Sequence, residues 1–346
     1  MTKIIKPTNH NLAIMVARDN ERIASILDYK KDMFGNESID DSKLSLFELN
    51  PKDANEFIQT MSNQIVFMYA YDLFRGEKVT SQFDWALKEM SRIGGMLNYV
   101  TNLLDETIPD YAEGGDPFAA PKPNTANNFI DKKYDKTLGK KINEETWAGA
   151  FTSEGGLASI VGIILKNMQD SLDNYAYDEL CKYVTDKVVF GKSMVVTKIA
   201  NVGETENAQK CYEQIMALAS KMCLKSKNYN TKGYLTKTPK GSLVLLLNAD
   251  YMASFDINVL ASLFNSSTIA LNKIFKRVEV IQFPTSAPTQ IGFICDEEAL
   301  VWGYKTRRMG SIYNPRDMSI NYWLNVRVRY GVINGRNAVR LLDTAE

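Results

Sequence analysis

The residues able to do chemistry are few and poorly spaced for it. His10 is the only histidine and lies in a polar N-terminal stretch, which argues against histidine-based acid–base catalysis and a multi-histidine metal site. Gly191-Lys192-Ser193 follows an apolar Val188-Val189-Phe190 run and looks like the end of a phosphate-binding loop. That loop needs a glycine five residues before Gly191, where Asp186 stands; a carboxylate there removes the turn and repels the ligand. Neither G-x-S-x-G nor G-x-G-x-x-G occurs. Asp296-Glu297-Glu298 and Asp40-Asp41 have cation-binding side chains, but adjacent acids read first as solvated turns. No catalytic residue, cofactor or metal site is expected, and so no enzyme.

The cysteines, Cys181, Cys211, Cys223 and Cys295, are scattered without a C-x-x-C pair. They predict reduced, mostly buried thiols in a protein made in a cytoplasm. The sequons at Asn36 and Asn265 are then chance matches. No export signal stands out, and the longest apolar run, 157–165, is about half the ~20 residues of a membrane span.

Basic side chains gather in two places. Lys132, Lys133, Lys136, Lys140 and Lys141 follow a Pro/Gly/Asn-rich stretch; Arg307, Arg308, Arg316, Arg327 and Arg329 line the C-terminal segment. Within YNPRDMSINYWLNVRVRYGV (313–332), Val326, Val328, Tyr330 and Val332 alternate with Asn325, Arg327 and Arg329, a strand with one basic face. That face suits a nucleic acid, a neighbouring subunit or plain solvent. Lysine plus arginine equals aspartate plus glutamate at 41 each, whereas phosphate-gripping proteins carry a basic excess. Pairing of arginine forks with carboxylates on another copy is favoured over phosphate binding; both remain open.

The elements positioning these groups are legible in outline. The first fifty residues are polar and weakly periodic, as in an arm packing elsewhere. Helices are expected over 53–74 and 82–104, the latter from apolar steps of four and three despite Gly94-Gly95. Residues 108–142 are turn-rich and then lysine-rich, without an apolar face, and predict an extended arm whose partner lies elsewhere. A long helix of about 40 Å runs from 157 to near 184 on a stripe of Leu157, Val161, Ile164, Met168, Leu172 and Tyr175. Beyond it come strand-like stretches at 187–190 and 194–199, a helix over 206–224, a strand over 242–250 and a short helix over 255–265. Strands follow at 277–283 and from 291, and a final apolar run stands at 338–342. Helices and strands intermix without βαβ repeats, which is the α+β class.

Three segments resemble a known family: GAFTSEGGLASIVGIILKNMQDSLDNYAYDELCKYVTD, LLLNADYMASFDINVLASLFN and YNPRDMSINYWLNVRVRYGVINGRNAVRLL. The N-P-R of the last and the N-A-D with F-D-I-N-V-L-A of the second are the most specific pieces, and DPFAAPKPNTANNF adds a fainter match. Together they are similar to the Hong Kong 97-type major capsid proteins of tailed bacteriophages, most of all those of small podophages of the Picovirinae type. The resemblance implies an N-terminal arm region over 1–105, an extended loop over 106–146 and a peripheral domain with the spine helix over 147–199. An axial domain over 200–283 and the second part of the peripheral domain over 284–346 complete it. It further implies self-assembly into pentamers and hexamers of an icosahedral shell around double-stranded DNA. Portal and scaffolding proteins are then candidate partners, the packaged DNA lies on the inner face, and no membrane is involved. The chain would be a virion capsid component assembled in the bacterial host cytoplasm. Lys132, Lys133, Tyr134, Lys136, Arg307, Arg308, Arg316, Arg327 and Arg329 become candidate inter-subunit contacts. The C-terminal immunoglobulin-like domain of some relatives is not expected after Glu346, and no motif carries the family's cross-linking lysine to this chain. An encapsulin-like nanocompartment shell is the alternative within the fold, and a nucleic-acid-binding module using Arg327 and Arg329 the alternative outside it.

Overall fold

The computed structural model describes residues 8–40, 56–57, 59–61, 63–64, 82–88, 97–102, 125–130, 132–143, 146, 156–197, 205–249, 274–314, 316–317 and 319–343. Helices and strands alternate irregularly, in agreement with the α+β class. The chain divides into two compact units. One comprises Met1–Val79, Asp135–Asn174 and Thr306–Arg327; the other comprises Thr80–Tyr134, Tyr175–Lys305 and Val328–Glu346.

The first unit opens with helices α1 (Asn9–Asp19) and α2 (Glu21–Ile26). The Thr8 hydroxyl accepts from the Asn11 N–H, and Asn20 Oδ1 accepts from the N–H groups of Arg22 and Ile23, so a side chain caps the orphan donors at each helix start. Leu12, Ala13, Val16 and Ala17 fall on one face and are buried, as are Ile23 and Leu27. The expectation of an arm without a core is therefore corrected here. Polar neighbours dilute the composition, but helical spacing collects the apolar residues on one side. Strands β1 (Lys30–Lys31) and β2 (Glu37–Ser38) follow as a hairpin. The described positions between 56 and 64 are helical, as expected for the start of a helix over 53–74; the remainder of that helix lies outside the described residues.

Helix α3 (Gly156–Val184) is 29 residues long, about 40 Å. Val161, Leu165, Met168 and Leu172 are buried in the first unit, and Ala176, Leu180, Cys181, Tyr183 and Val184 in the second. Ile164 and Tyr175, expected on the stripe, flank it at half burial.

The second unit is built on a five-stranded sheet in the order β6 (Ser193–Val195), β12 (Ala338–Leu342), β9 (Gln290–Asp296), β7 (Leu243–Asn248), β8 (Phe275–Ile281). The β12–β6 and β7–β8 pairs are parallel, and β9 pairs antiparallel with both neighbours. All seven residues of β9 are buried, as befits a central strand covered on both faces. Cys211, Ile215, Leu218, Ala219 and Met222 of α4 (Thr205–Met222) share a core with Leu243, Leu245, Leu247, Phe275, Ile294, Val339 and Leu341. Elsewhere Phe190 meets Phe293 edge-on, with centroids 4.9 Å apart, a preferred aromatic geometry. The helix expected over 255–265 lies outside the described residues.

Three further expectations change. The helix over 82–104 is replaced at its described positions: Asp84–Ala86 is a single 3-10 turn, and β3 (Leu97–Asn102) is a strand paired antiparallel with β4 (Thr125–Ile130), while 89–96 and 103–104 lie outside the described residues. Phe83 is buried and its carbonyl accepts from Trp302 Nε1 at 2.8 Å, while Tyr99, Val100 and Thr101 are strand formers. The strand over 187–190 is a turn, because Asp186 Oδ1 accepts from the N–H groups of Val188 and Val189. The acidic Asp296-Glu297-Glu298 turn is internally paired. Asp296 is buried beside Arg336, which also reaches Glu298, while Lys276 holds Glu297 at 2.7 Å.

Among the described residues no helix is long and apolar enough to cross a membrane. All four cysteines are free, three of them buried and Cys223 partly so. Burial pushes the Cys181 thiol up to about 12 and the Cys295 thiol well above its ordinary value. With iodoacetamide at mildly alkaline pH, Cys223 should be alkylated first, and Cys181 and Cys295 only after denaturation. Peptide mass spectrometry reads the order.

Candidate inter-subunit surface

The residues expected to meet a neighbour lie mainly on β5 (Lys133–Asn143), β10 (Leu300–Asn314) and β11 (Ser319–Val332), in a three-stranded sheet of order β10-β11-β5. Strand β11 alternates as its sequence demands: Ile320, Tyr322, Leu324, Val326 and Val328 are buried, while Trp323, Asn325 and Arg327 are exposed. Strand β5 was expected to have no core face. Tyr134 and Ile142 are buried, with Leu138 half-buried between them. Apolar residues recur every fourth position with Lys136 and Lys140 interleaved, which makes the buried side look polar in the sequence.

Cross-strand side chains join β5 to β11. The Thr137 hydroxyl donates to Asn325 Oδ1 at 2.6 Å. Lys141 Nζ lies 2.5 Å from Asp317 Oδ2, and Asp317 Oδ1 accepts from the Ser319 hydroxyl. The Lys141 hydrogen bond, followed by that of Ser319, holds the Asp317 carboxyl below the ordinary range. Gly139 makes a close approach possible: a Cβ placed there would sit 2.6 Å from Trp323 Cζ3. The indole therefore lies over bare backbone, 42% exposed. A glycine inside a strand commonly marks such an approach.

Lys132, Tyr134 and Arg329 belong to the second unit. Lys132 Nζ is 3.7 Å from Asp186 Oδ2 and 5.6 Å from the Tyr183 ring centroid, within cation–π range. The Tyr330 N–H donates to the Lys132 carbonyl at 3.1 Å. Tyr134 packs edge-on against Tyr175 with centroids 5.2 Å apart. Tyr134 and Arg329 are each 7% exposed and offer a neighbour little surface. For Arg329 this corrects the expected pair of outward arginines. From Val328 to Gly331 β11 is buried at every position, and a Cβ on Gly331 would sit 2.9 Å from Ile130, so the strand end is covered on both faces. The Arg329 guanidinium turns back to donate to the Val328 carbonyl at 2.9 Å.

Lys133 is exposed in the second unit; Lys136, Arg308, Arg316 and Arg327 are exposed and Arg307 half-buried in the first. The described residues contain no group of three or more His, Cys, Asp or Glu side chains able to hold a metal ion. The available chemistry is that of contact: exposed cations, one exposed indole and hydrogen-bonding amides. Two features escaped sequence reasoning, the Gly139–Trp323 contact and the role of Asp186; a glycine within a strand was the available signal for the first. Gly139→Val should destabilise the folded chain by about 1–3 kcal/mol. In a double-mutant cycle with Trp323→Ala the penalty should shrink, because the clashing ring is gone. Urea unfolding of both variants measures it.

A family model of the Phi29-like phage major capsid protein matches residues 29–342. The major capsid protein of Bacillus phage GA-1 is 25% identical over 257 residues, covering 71% of this chain and 52% of that one. The major capsid protein of Bacillus phage PZA is 24% identical over 231 residues, covering 65% of this chain and 50% of that one. The chain thus spans about half the length of these relatives. A capsid structure of Staphylococcus phage Andhra superposes with a TM-score of 0.56 at 12% identity, covering 78% of this chain and 87% of that one. A capsid structure of cyanophage P-SCSP1u gives 0.50 at 10% identity, with 75% and 86% covered. At such identities these likenesses concern the fold alone, which is the Hong Kong 97-type capsid fold. The match across 29–342 carries the family: the chain belongs to the Phi29-like phage major capsid proteins.

Proposed function

We propose that this chain is a head-shell subunit that self-associates into pentamers and hexamers, which close into an icosahedral shell around double-stranded DNA. The observation carrying this reading is the family match over residues 29–342. The subunit performs no chemical step and takes no cofactor. Repeated heterologous contacts close into rings, each contact drawing on modest ion pairs and apolar burial. Portal protein, scaffolding protein and the genome on the inner face are the further partners of this proposal. Assembly proceeds in the host cytoplasm and the product is the virion capsid.

In the same proposal 106–146 is the loop that overlaps a neighbouring subunit, with Lys133 and Lys136 presented to it. The expected axial segment, 200–283, supplies α4, β7 and β8, but the two strands share one sheet with β6, β9 and β12. We therefore assign that whole sheet to the domain lining the ring centres. Exposed Arg308, Arg316 and Arg327 are proposed contacts with acidic side chains of an adjacent copy, since a neutral chain gains little from phosphate alone.

Electron microscopy and sedimentation of the expressed chain test the reading: closed particles are expected. Lys136→Glu and Arg327→Glu should leave the monomer folded by circular dichroism yet lower particle yield by about tenfold, because a modest pair energy recurs at every contact. Variants that assemble as well as the parent chain would remove these residues from the interface.

A further inference from the structure

The β1–β2 hairpin is built to hold two apolar side chains in water. Phe34 is 90% exposed and Met33 98% exposed. A mobile loop with stray apolar residues would need no explanation, but this one is fastened at every level. Asp32 Oδ1 accepts from the Phe34 and Asn36 N–H groups, each at 2.8 Å, and Asp32 Oδ2 accepts from Asn36 Nδ2 at 2.7 Å. The backbone adds Asp32 N–H to Asn36 O and Gly35 N–H to Asp32 O. Gly35 has φ +84, the left-handed geometry that a three-residue hairpin loop requires at this place. Those hydrogen bonds, led by the Asn36 side chain, hold the Asp32 carboxyl below its ordinary range.

The base of the hairpin is fixed as well. Lys31 pairs with Glu37 at 3.3 Å, and Glu37 also takes a hydrogen bond from Tyr29. The Asp40 N–H donates to the carbonyl of buried Leu27 at 2.9 Å, and Tyr29 N–H to Ala24 O. The tip is thereby oriented against α2 rather than left to swing.

We infer that the Met33–Phe34 tip is a knob that inserts into an apolar recess on a second copy of this chain during assembly. The inference rests on the shell reading above. Area selects the occupant. An aromatic side chain buries on the order of 200 Å², and with one methionine beside it the tip falls well short of the roughly 1,200 Å² of a stable pairwise interface. Such a knob cannot hold a separate partner by itself. It suits an assembly in which every subunit contributes the same small contact and many contacts sum. Pre-ordering by Asp32 and Gly35 lowers the entropy lost when the tip docks.

The test uses the full chain. Met33→Ser with Phe34→Ser should leave the melting temperature of the monomer unchanged, since neither side chain is packed, and should reduce particle yield at least severalfold at equal concentration. Phe34→Leu should restore most of the yield. A photo-crosslinking phenylalanine analogue at position 34 should give chain-to-chain adducts in particles and none in monomer. Assembly of the double-serine variant at parental yield, or adducts only within one chain, would overturn the knob while leaving the shell reading intact. A parental chain that forms no particles under any condition would overturn both.

Discussion

One apolar stripe runs the length of α3, and both compact units depend on it. Most of a helix's stability in a folded protein comes from burying one face, and in α3 that face is the spacing from Val161 through Val184. Off the stripe, charged and amide side chains pair with each other along the helix, as Lys182 does with Glu179 at 3.0 Å and Gln169 with Asp173. Past the helix end, the chain turns through Asp186 and reaches Phe190, whose ring joins Tyr183 to Phe293. Arg340, fully buried, donates from Nε to the Phe190 carbonyl at 2.8 Å, while its own N–H reaches the Lys192 carbonyl. A buried guanidinium is tolerable only where its donors find acceptors, so this contact ties the turn after α3 to β12.

Polar closure is the second theme of the sheet unit. Asn337 is almost fully buried; its Nδ2 donates to the Met222 carbonyl at the end of α4 and to the Thr238 hydroxyl, and its Oδ1 accepts from Thr236. The last turn of α4 thus has a carbonyl satisfied by a side chain 115 residues further along the sequence. Asn230 closes its own loop, donating to the Tyr234 carbonyl and accepting from the Tyr234 N–H. Burial raises the Asp296 carboxyl above its ordinary range despite Arg336 nearby, so this one member of the acidic turn belongs to the core's polar lining while Glu298 faces solvent.

What could be read from sequence was whatever one periodicity decides. The α3 stripe, the α4 face through Cys211, Ile215, Ala219 and Met222, and the apolar run of β7 stand where their spacing put them. Ambiguity arose where two periods fit the same residues. Leu97 and Val100 complete a helical stripe on paper, yet pair strand-wise with Ile130 and Asn127. Local side-chain chemistry was equally hidden: nothing about Val188-Val189 betrays that Asp186 holds their N–H groups. On the candidate surface, outward Arg327 was legible from alternation. Inward Arg329 was not, because only tertiary packing covers both faces of a strand end. Tyr134 was legible as aromatic but not as buried, since its lysine neighbours mask the apolar side.

Gln59 carries a consequence for how copies of this chain can meet. Its Nε2 donates to the Ser311 carbonyl at 3.0 Å and its Oε1 accepts from the Tyr313 N–H, so one side-chain amide occupies the outer edge of β10, the border strand of its sheet. Free strand edges are templates for open-ended polymerisation, and an unclosed head-to-tail series grows into a fibre. With the Ser311 carbonyl and the Tyr313 N–H taken by a glutamine of its own chain, a second strand cannot pair with this end of β10.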